Sequence, residues 1–368
     1  MEDRAGHSNI ALDDHVDDEI AACLNLESPR SFFLFAGAGS GKTRSLVNAL
    51  HHIRKEHGVR LDLRGQRVGV VTYTNAACDE IVRRIEFDPL FHVSTIHSFA
   101  WRLIGSFTSD IREWLRVDLS AEIGELEEEE RKGRPGTKAS ATRLSQIESK
   151  RRRLGRLDEI KSFTYNPTGD NKEKNSLSHS EVIQICASFL QGKPLMQRIL
   201  VSQYPFFLID ESQDTNKYLI DALIAVEANN RAHFSLGFFG DTMQRIYSDG
   251  KEKIEHELPS EWEKPAKKLN HRCPRRVLRL ISRIRSDVDD HGQEASSEVL
   301  EGCVRLFILP ANTPNKPEAE ASARAHMAEV SGDNYWIEPG QCKILTLEHH
   351  MAAKRMGFQH IFDPLYDI

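Results

Sequence analysis

The chain has 368 residues and a net charge of −6, with 39% hydrophobic, 8% aromatic and 28% charged residues. These proportions describe a packed globular protein of one large or two smaller domains, with no run of about 18 apolar residues to span a membrane. The acidic balance argues against a surface coated in basic charge for indiscriminate nucleic-acid binding, while leaving room for a local phosphate-reading groove.

The opening stretch MEDRAGHSNIALDDH is acidic and polar and lacks the basic-then-apolar form of a signal peptide. Cys23, Cys78, Cys186, Cys273, Cys303 and Cys342 are scattered without a CxxC pair. Free thiols in a reducing, cytoplasmic setting are expected rather than a disulfide framework or a zinc site. His349 and His350 follow Glu348, but neighbouring helical side chains point apart, so no metal site is expected there.

In chain order, residues 31–36 predict a buried strand and Thr43–Lys55 the helix after it. Val68–Thr72 predicts a second strand, followed by a helix over Ala76–Ile85. His92–Thr95 predicts a third strand, with a helix from Phe99 to Ile104. Phe206–Asp210 and Phe234–Phe239 predict two more strands. Strands alternating with helices imply an α/β fold with a parallel sheet, and their uninterrupted apolar runs imply burial on both faces. Residues 108–193 differ, being acidic, then basic, and broken by Gly-Arg-Pro-Gly. They predict an inserted helical subdomain with a mobile linker at Lys132–Ala141 and a polar loop at Asn166–Ser178. Beyond Leu258 a second α/β unit is expected, with strands at Val304–Leu309 and Lys343–Leu347 and helices at Arg275–Arg285 and Lys316–Val330. The expected division is therefore 1–107 with 194–258, then 108–193 as the insertion, then 259–368.

Between the first strand and helix lies FFLFAGAGSGKTRSL, Phe32 to Leu46. A glycine-rich turn ending in Gly-Lys-Thr between strand and helix is the context of a phosphate loop. Ala36, Gly37, Ala38, Gly39, Ser40, Gly41, Lys42 and Thr43 would form it. Backbone N–H groups over Gly37–Gly41 would surround a β-phosphate, and the helix N-terminus would add positive charge. Lys42 would neutralise β- and γ-phosphate oxygens and Thr43 would ligate Mg2+. Ala36 stands where the strict GxxxxGK[ST] pattern has its leading glycine. FFLIDESQD supplies the acids that such a loop needs, with Asp210 holding Mg2+ through water and Glu211 acting as general base toward the attacking water.

AGAGSGKT, YTNAACDEI, STIHSFA, LIDESQD, GDTMQRIY and LNHRC occur in an order that resembles the motifs of the UvrD/Rep-like superfamily-1 DNA helicases, from Ala36 to about Cys273. The resemblance implies a RecA-like P-loop NTPase sheet with a helical insertion, followed by an incomplete second RecA-like domain. It also implies ATP and Mg2+ as cofactors, movement on single-stranded DNA, and action at forked DNA. Residue by residue, Gln213 and Gln244 match glutamines that sense the γ-phosphate and the attacking water, with Asp241 beside Gln244. Arg272 matches an arginine that reaches the γ-phosphate and stabilises transition-state charge. Tyr73, Thr74 and Asn75 match one DNA-contacting segment, Thr95, His97 and Ser98 a second, and Tyr247 a third position. Tyr73 would stack on a base. Arg152, Arg153 and Arg156, in the insertion, would touch duplex phosphates.

Departures accompany the match. LDDHVDDEIAACL holds acids and no glutamine where the family reads adenine, although His271 sits where a base-stacking tyrosine is common. Ser248-Asp249-Gly250 replaces the usual Arg-Trp-Arg-Gly. The family's late motifs have no match before Ile368. Three explanations stand open: a longer natural protein, a partner that completes the site, or an impaired ATPase. The leading expectation is an ATP-dependent helicase or translocase in DNA repair, recombination or anti-phage defence. The alternative is a nucleotide- and DNA-binding regulatory module with slow turnover that acts with a nuclease partner.

Overall fold

The computed structural model describes residues 13–169, 171, 173–241, 257–286, 293–296 and 299–366. Its centre is a six-stranded, all-parallel sheet. The strands are β1 (Phe32–Ala36), β2 (Val68–Thr72), β3 (Phe91–Thr95), β4 (Phe206–Asp210), β5 (Ser235–Gly240) and β6 (Ala266–Lys267), in the order β3-β2-β4-β5-β1-β6. Side chains alternate across a strand, and here both sets are apolar. Phe33, Phe207, Ile209 and Phe238 enter one core, whereas Phe32, Leu34, Phe206, Leu208 and Phe239 enter the other. This is the α/β, RecA-like P-loop arrangement expected.

Helices α1 (Asp14–Cys23) and α2 (Lys42–Leu63) cover the second core. Helix α2 outlasts its expected end at Lys55 because Leu61 is fully buried and holds two more turns against the sheet. Helix α3 (Asn75–Arg84) follows β2, and α4 (Ile96–Ile104) follows β3 and packs Phe99, Ala100 and Leu103 into the first core.

The insertion begins with α5 (Thr108–Lys132) and α6 (Lys138–Arg156), which pack together as a hairpin. The linker expected over Lys132–Ala141 shrinks to residues 133–137. Thr137 caps α6 by accepting the Ser140 N–H at 3.2 Å, while Glu130 accepts from the Ser140 hydroxyl and, at 2.9 Å, from Arg143 Nε. These bonds fix the turn that Gly-Arg-Pro-Gly suggested was loose. The described residues between 166 and 178 form the expected polar loop, closed by a capping box between Ser178 and Glu181 at the start of α7 (His179–Gly192). Helix α8 (Pro194–Gln203) leads into β4, and α9 (Lys217–Asn230) joins β4 to β5.

The expected boundary at residue 259 differs from the division by compactness, which gives Met1–Cys273 with Ser282–Glu298, and Pro274–Ile281 with Val299–Ile368. The reason is strand pairing. β6 adds to the sheet beside β1, and β7 (Leu269–Asn270) pairs in parallel with β8 (Glu294–Ala295). The smaller unit contains the first part of α10 (Arg275–Arg285) together with α11 (Lys316–Ser331), α12 (His349–Arg355) and α13 (Gln359–Tyr366). The strands expected at Val304–Leu309 and Lys343–Leu347 do not form. Leu306, Ile308, Leu345 and Leu347 are exposed, and an apolar run becomes a strand only where neighbouring strands take up its N–H and C=O groups. No helix among the described residues is long and apolar enough to cross a membrane.

The acidic N-terminal stretch ties α1 to its surroundings. Asp13, 8% exposed, accepts the backbone N–H groups of Lys268 and Leu269, each at 3.0 Å. Asp17 accepts from Ser45 Oγ at 2.5 Å and Asn48 Nδ2 at 2.7 Å on α2, and faces Lys267 at 3.3 Å. Burial alone would raise the Asp17 carboxyl, but these hydrogen bonds and Lys267 outweigh it and hold it below the usual carboxylate value. Replacing Asp13 strands two backbone donors. Asp13→Ala should lower unfolding stability by roughly 1–3 kcal/mol in urea titrations, and Asp13→Asn, which keeps one acceptor oxygen, should lose less. Equal stability of all three proteins would remove this anchor.

Candidate nucleotide site at the carboxyl edge of the sheet

In a parallel sheet every strand ends on the same edge, and ligands of open α/β folds bind there. That edge gathers the loop after β1, Tyr73–Asn75 after β2, Thr95–His97 after β3, Glu211 after β4 and Asp241 after β5.

The loop after β1 folds as a phosphate cradle requires. Gly39 and Gly41 have φ of 78° and 89°, which glycine adopts without strain. Ser40 closes the turn, its N–H and hydroxyl both donating to the Gly37 carbonyl at 3.2 and 2.8 Å. Asn270 Nδ2 donates to the Ala38 carbonyl at 2.6 Å, and the His271 N–H to the Gly39 carbonyl at 3.0 Å. With the Ala38 carbonyl held outward, the N–H of Gly39 in the same planar peptide faces the opposite side. Lys42 then begins α2, with Thr43 on its first turn.

Lys42 is 9% exposed and donates to Glu211 Oε2 at 2.6 Å. Gln213 Nε2 donates to the same oxygen at 2.7 Å, and Gln213 Oε1 accepts the Asp241 N–H at 3.2 Å. Glu211 has φ of 50° and ψ of 48°, a left-handed turn that lifts its side chain off the end of β4. Asp210 remains 4% exposed on the strand itself. Burial pushes its carboxyl up to about 6, the Glu211 charge adds to the rise, and Lys42 opposes it. A buried carboxyl held against its charge is the donor a divalent cation satisfies, and close to it in sequence Ser212 Oγ is a buried hydroxyl with no partner among the described residues. The donor set therefore fits a metal-bound nucleoside polyphosphate, whose cation Thr43 and Asp210 could hold.

Arg272 and His271 are both exposed and adjoin the loop. A Cβ added to Gly39 would fall 2.8 Å from Arg272 Cβ. Gln244 and Tyr247 lie outside the described residues. Among the DNA candidates, Thr74 caps α3 by accepting the Ala77 N–H at 3.1 Å, and Asn75 is exposed on its first turn. Thr95 caps α4 by accepting the Ser98 N–H at 3.4 Å. Tyr73 and His97 are partly buried, with the His97 ring 5.2 Å from that of His179. The sequence alone did not single out Asn270, although it lies inside the quoted LNHRC. Its Oδ1 accepts the N–H groups of Arg272 and Cys273 at 2.9 and 2.8 Å, which fixes the turn presenting Arg272.

The Asp210 environment predicts a pH dependence. A carboxyl whose folded value lies near 6, above the ordinary 3.8, stays protonated where the unfolded chain releases the proton. Its contribution to stability is therefore lost as pH rises through that interval. Without divalent cations, Asp210→Asn should be more stable than the parent protein at pH 7, by on the order of 1–3 kcal/mol. That advantage should shrink to nothing near pH 4. A difference independent of pH would show that folding leaves the Asp210 carboxyl unshifted.

A family model described as an AAA domain matches residues 20–249, more than half of the chain. The Gabija protein GajB of Bacillus cereus (strain HuB5-5) is 25% identical, the match covering 72% of this chain and 48% of GajB. The ATP-dependent DNA helicase PcrA of Bacillus subtilis (strain 168) is 25% identical over 68% of this chain and 37% of its own length. The ATP-dependent DNA helicase Rep of Buchnera aphidicola subsp. Baizongia pistaciae (strain Bp) is 25% identical over 69% and 40%. The chain thus spans about half or less of the relatives it matches. It belongs to the AAA-domain family, and its sheet and glycine-rich loop correspond to the ATPase region of UvrD/Rep-like superfamily-1 helicases.

Proposed function

We propose that this chain binds ATP with Mg2+ at the loop Ala36–Thr43 and couples its hydrolysis to movement along single-stranded DNA. The observation that carries the proposal is the convergence of Lys42, Glu211 and buried Asp210 at one edge of the sheet. Lys42 holds the β- and γ-phosphates, Thr43 and Asp210 hold the cation, and Glu211 accepts the proton of the attacking water. Gln213 bonds Glu211 and reports on its position. Arg272 approaches the terminal phosphate, and Gln244 acts beside it. Tyr73, Thr74, Asn75, Thr95, His97 and Tyr247 carry the single strand, supported by the placement of the first five at the ends of β2 and β3 on the same edge. Of the three roles open to such an enzyme, we favour anti-phage defence, which rests on the similarity to the Gabija protein GajB. A nuclease partner accords with that role.

The test is steady-state ATP hydrolysis with and without single-stranded DNA. Turnover should rise with DNA, and Lys42→Ala should abolish it. Glu211→Gln keeps the bond-accepting oxygen but removes the base, so nucleotide should stay bound while turnover falls by about 10²–10⁴. Slow turnover that DNA leaves unchanged would favour a regulatory module acting with a partner.

The basic run in the insertion divides into two sets. Lys150 pairs with Glu122 and Arg151 with Glu127, at 2.6 and 2.5 Å, and Arg153 pairs with Glu181 through both guanidinium nitrogens, at 2.5 and 3.1 Å. Arg152 reaches Glu148 only at 4.0 Å, and with Arg153, Arg156, Lys161 and Lys174 it lines a cavity of about 780 Å3 whose wall also carries Glu159, Glu173 and Glu181. We assign duplex contact at a fork to Arg152 and Arg156, and a structural role to Arg153. Arg152→Gln with Arg156→Gln should weaken forked-duplex binding and flatten its salt slope by about 0.9 per lost phosphate contact. Binding of a short single strand should be unchanged. Equal loss on both substrates would instead mark a general field effect.

A further inference from the structure

Asn270 has no freedom in how its amide is oriented. Its Oδ1 accepts two backbone N–H groups, so Nδ2 must be the atom that donates to the Ala38 carbonyl at 2.6 Å. The other donor of Nδ2 reaches Gln293 Oε1 at 3.0 Å. An oxygen is therefore required at that position, and the Gln293 amide nitrogen must face the other way. It faces the phosphate loop. A Cβ built on Gly37 would fall 2.5 Å from Gln293 Nε2, so the amide fills the space that a side chain at position 37 would occupy. Gln293 Nε2 is buried and has no acceptor among the described residues. Its backbone is held in register by β8, where Glu294 N donates to Lys268 O at 2.7 Å and Ser296 N to Asn270 O at 3.1 Å.

A buried amide NH2 without an acceptor is costly, and it persists where a ligand satisfies it. Phosphate oxygens are acceptors only, and the loop beside this amide is shaped to hold them. We propose that Gln293 is a nucleotide-contacting residue, its Nε2 donating to a phosphate oxygen of a nucleoside triphosphate seated on Gly37–Thr43. This rests on the phosphate-loop assignment above. It adds a donor 23 residues beyond Asn270 that no motif in the chain announces.

Equilibrium titration of fluorescent N-methylanthraniloyl-ATP into the full chain tests it, with Lys42→Ala as reference. Gln293→Glu keeps the acceptor that Asn270 needs and sets a carboxylate against the phosphates. Gln293→Leu removes both functions without adding charge. The contact predicts that the Glu variant loses about tenfold or more in affinity and the Leu variant less, with thermal midpoints of both near the parent's. If the Glu variant binds like the parent while the Leu variant is weakened, Gln293 only clamps the loop through Asn270 and the proposal falls. Parent-like binding by both variants, with loss in Lys42→Ala, overturns the contact alone. If the parent protein and Lys42→Ala bind the analogue equally, the phosphate-loop assignment fails and takes this proposal with it. The Glu variant, equal in shape to glutamine, carries the test should the Leu variant fail to fold.

Discussion

A carboxylate buried at the end of a central strand is the constraint around which this α/β unit is organised. Asp210 sits on β4, flanked by β2 and β5, where water cannot solvate its charge. Such a group is tolerated only if nearby charge or a bound cation offsets the desolvation. Lys42 offsets part of it from the neighbouring loop, but Lys42 is itself engaged with Glu211. One ammonium thus serves two carboxylates, and the buried one is pushed up to about 6 but still ionises at neutral pH. The site is short of positive charge by about one unit at neutral pH, a deficit that a divalent cation would reverse. The position of α2 matters for the same reason. Asp17 grips Ser45 and Asn48 on that helix, and Ile53 and Leu61 seat it against the sheet, so Lys42 is delivered to a fixed point.

The sheet was legible because its strands are apolar on both sides. Runs such as FFLID and VGVVT have no alternative use in a chain of this composition, and five of the six strands were placed to within a residue or so. The errors have a common physical cause. β6, β7 and β8 are two residues long, too short for any hydrophobic period, and form because the end of β1 and the Asp13 carboxylate supply bonding partners from far along the chain. Val304–Leu309 is the converse, a run with strand character and no partner. Local pattern reports which faces can be buried, not whether a neighbour exists to bury them. The α5–α6 turn illustrates the limit on glycine and proline as signals. Breaking residues mark the end of a helix, but Glu130 and Thr137 decide whether the turn is loose, through bonds that composition does not reveal.

Within the candidate site, the segments marked by sequence context are the legible ones. Gly-Lys-Thr after a strand and Asp-Glu after another need only local geometry to be recognised. Asn270 and Gln293 depend on a meeting of three segments, around residues 38, 270 and 293, and a lone amide has no spacing to betray it. The acids of the N-terminal stretch were noticed for what they lacked, a glutamine. Their use is structural: Asp13 and Asp17 join α1 to β7, α2 and β6.

Glu211 carries the most informative backbone in the unit. Three non-glycine residues among those described have positive φ. Two of them, Glu86 and Phe87, are consecutive and exposed in the turn that follows α3, where solvent accommodates an unusual chain path. Glu211 is isolated, at the mouth of the phosphate loop. A left-handed residue with a Cβ costs about 1–2 kcal/mol, and such a conformation survives when its surroundings over-determine it. Here they do. The Glu211 N–H donates to Asp210 Oδ1 at 3.1 Å, its carbonyl accepts the Asp214 N–H at 3.0 Å, and its carboxylate is gripped by Lys42 and Gln213. An extended residue at this point would continue the strand and carry the carboxylate along β4. The left-handed turn swings it across to the loop after β1, although β5 lies between the two strands in the sheet. The strain is thus the geometric condition for bringing an acid from β4 within reach of Lys42, the first residue of α2.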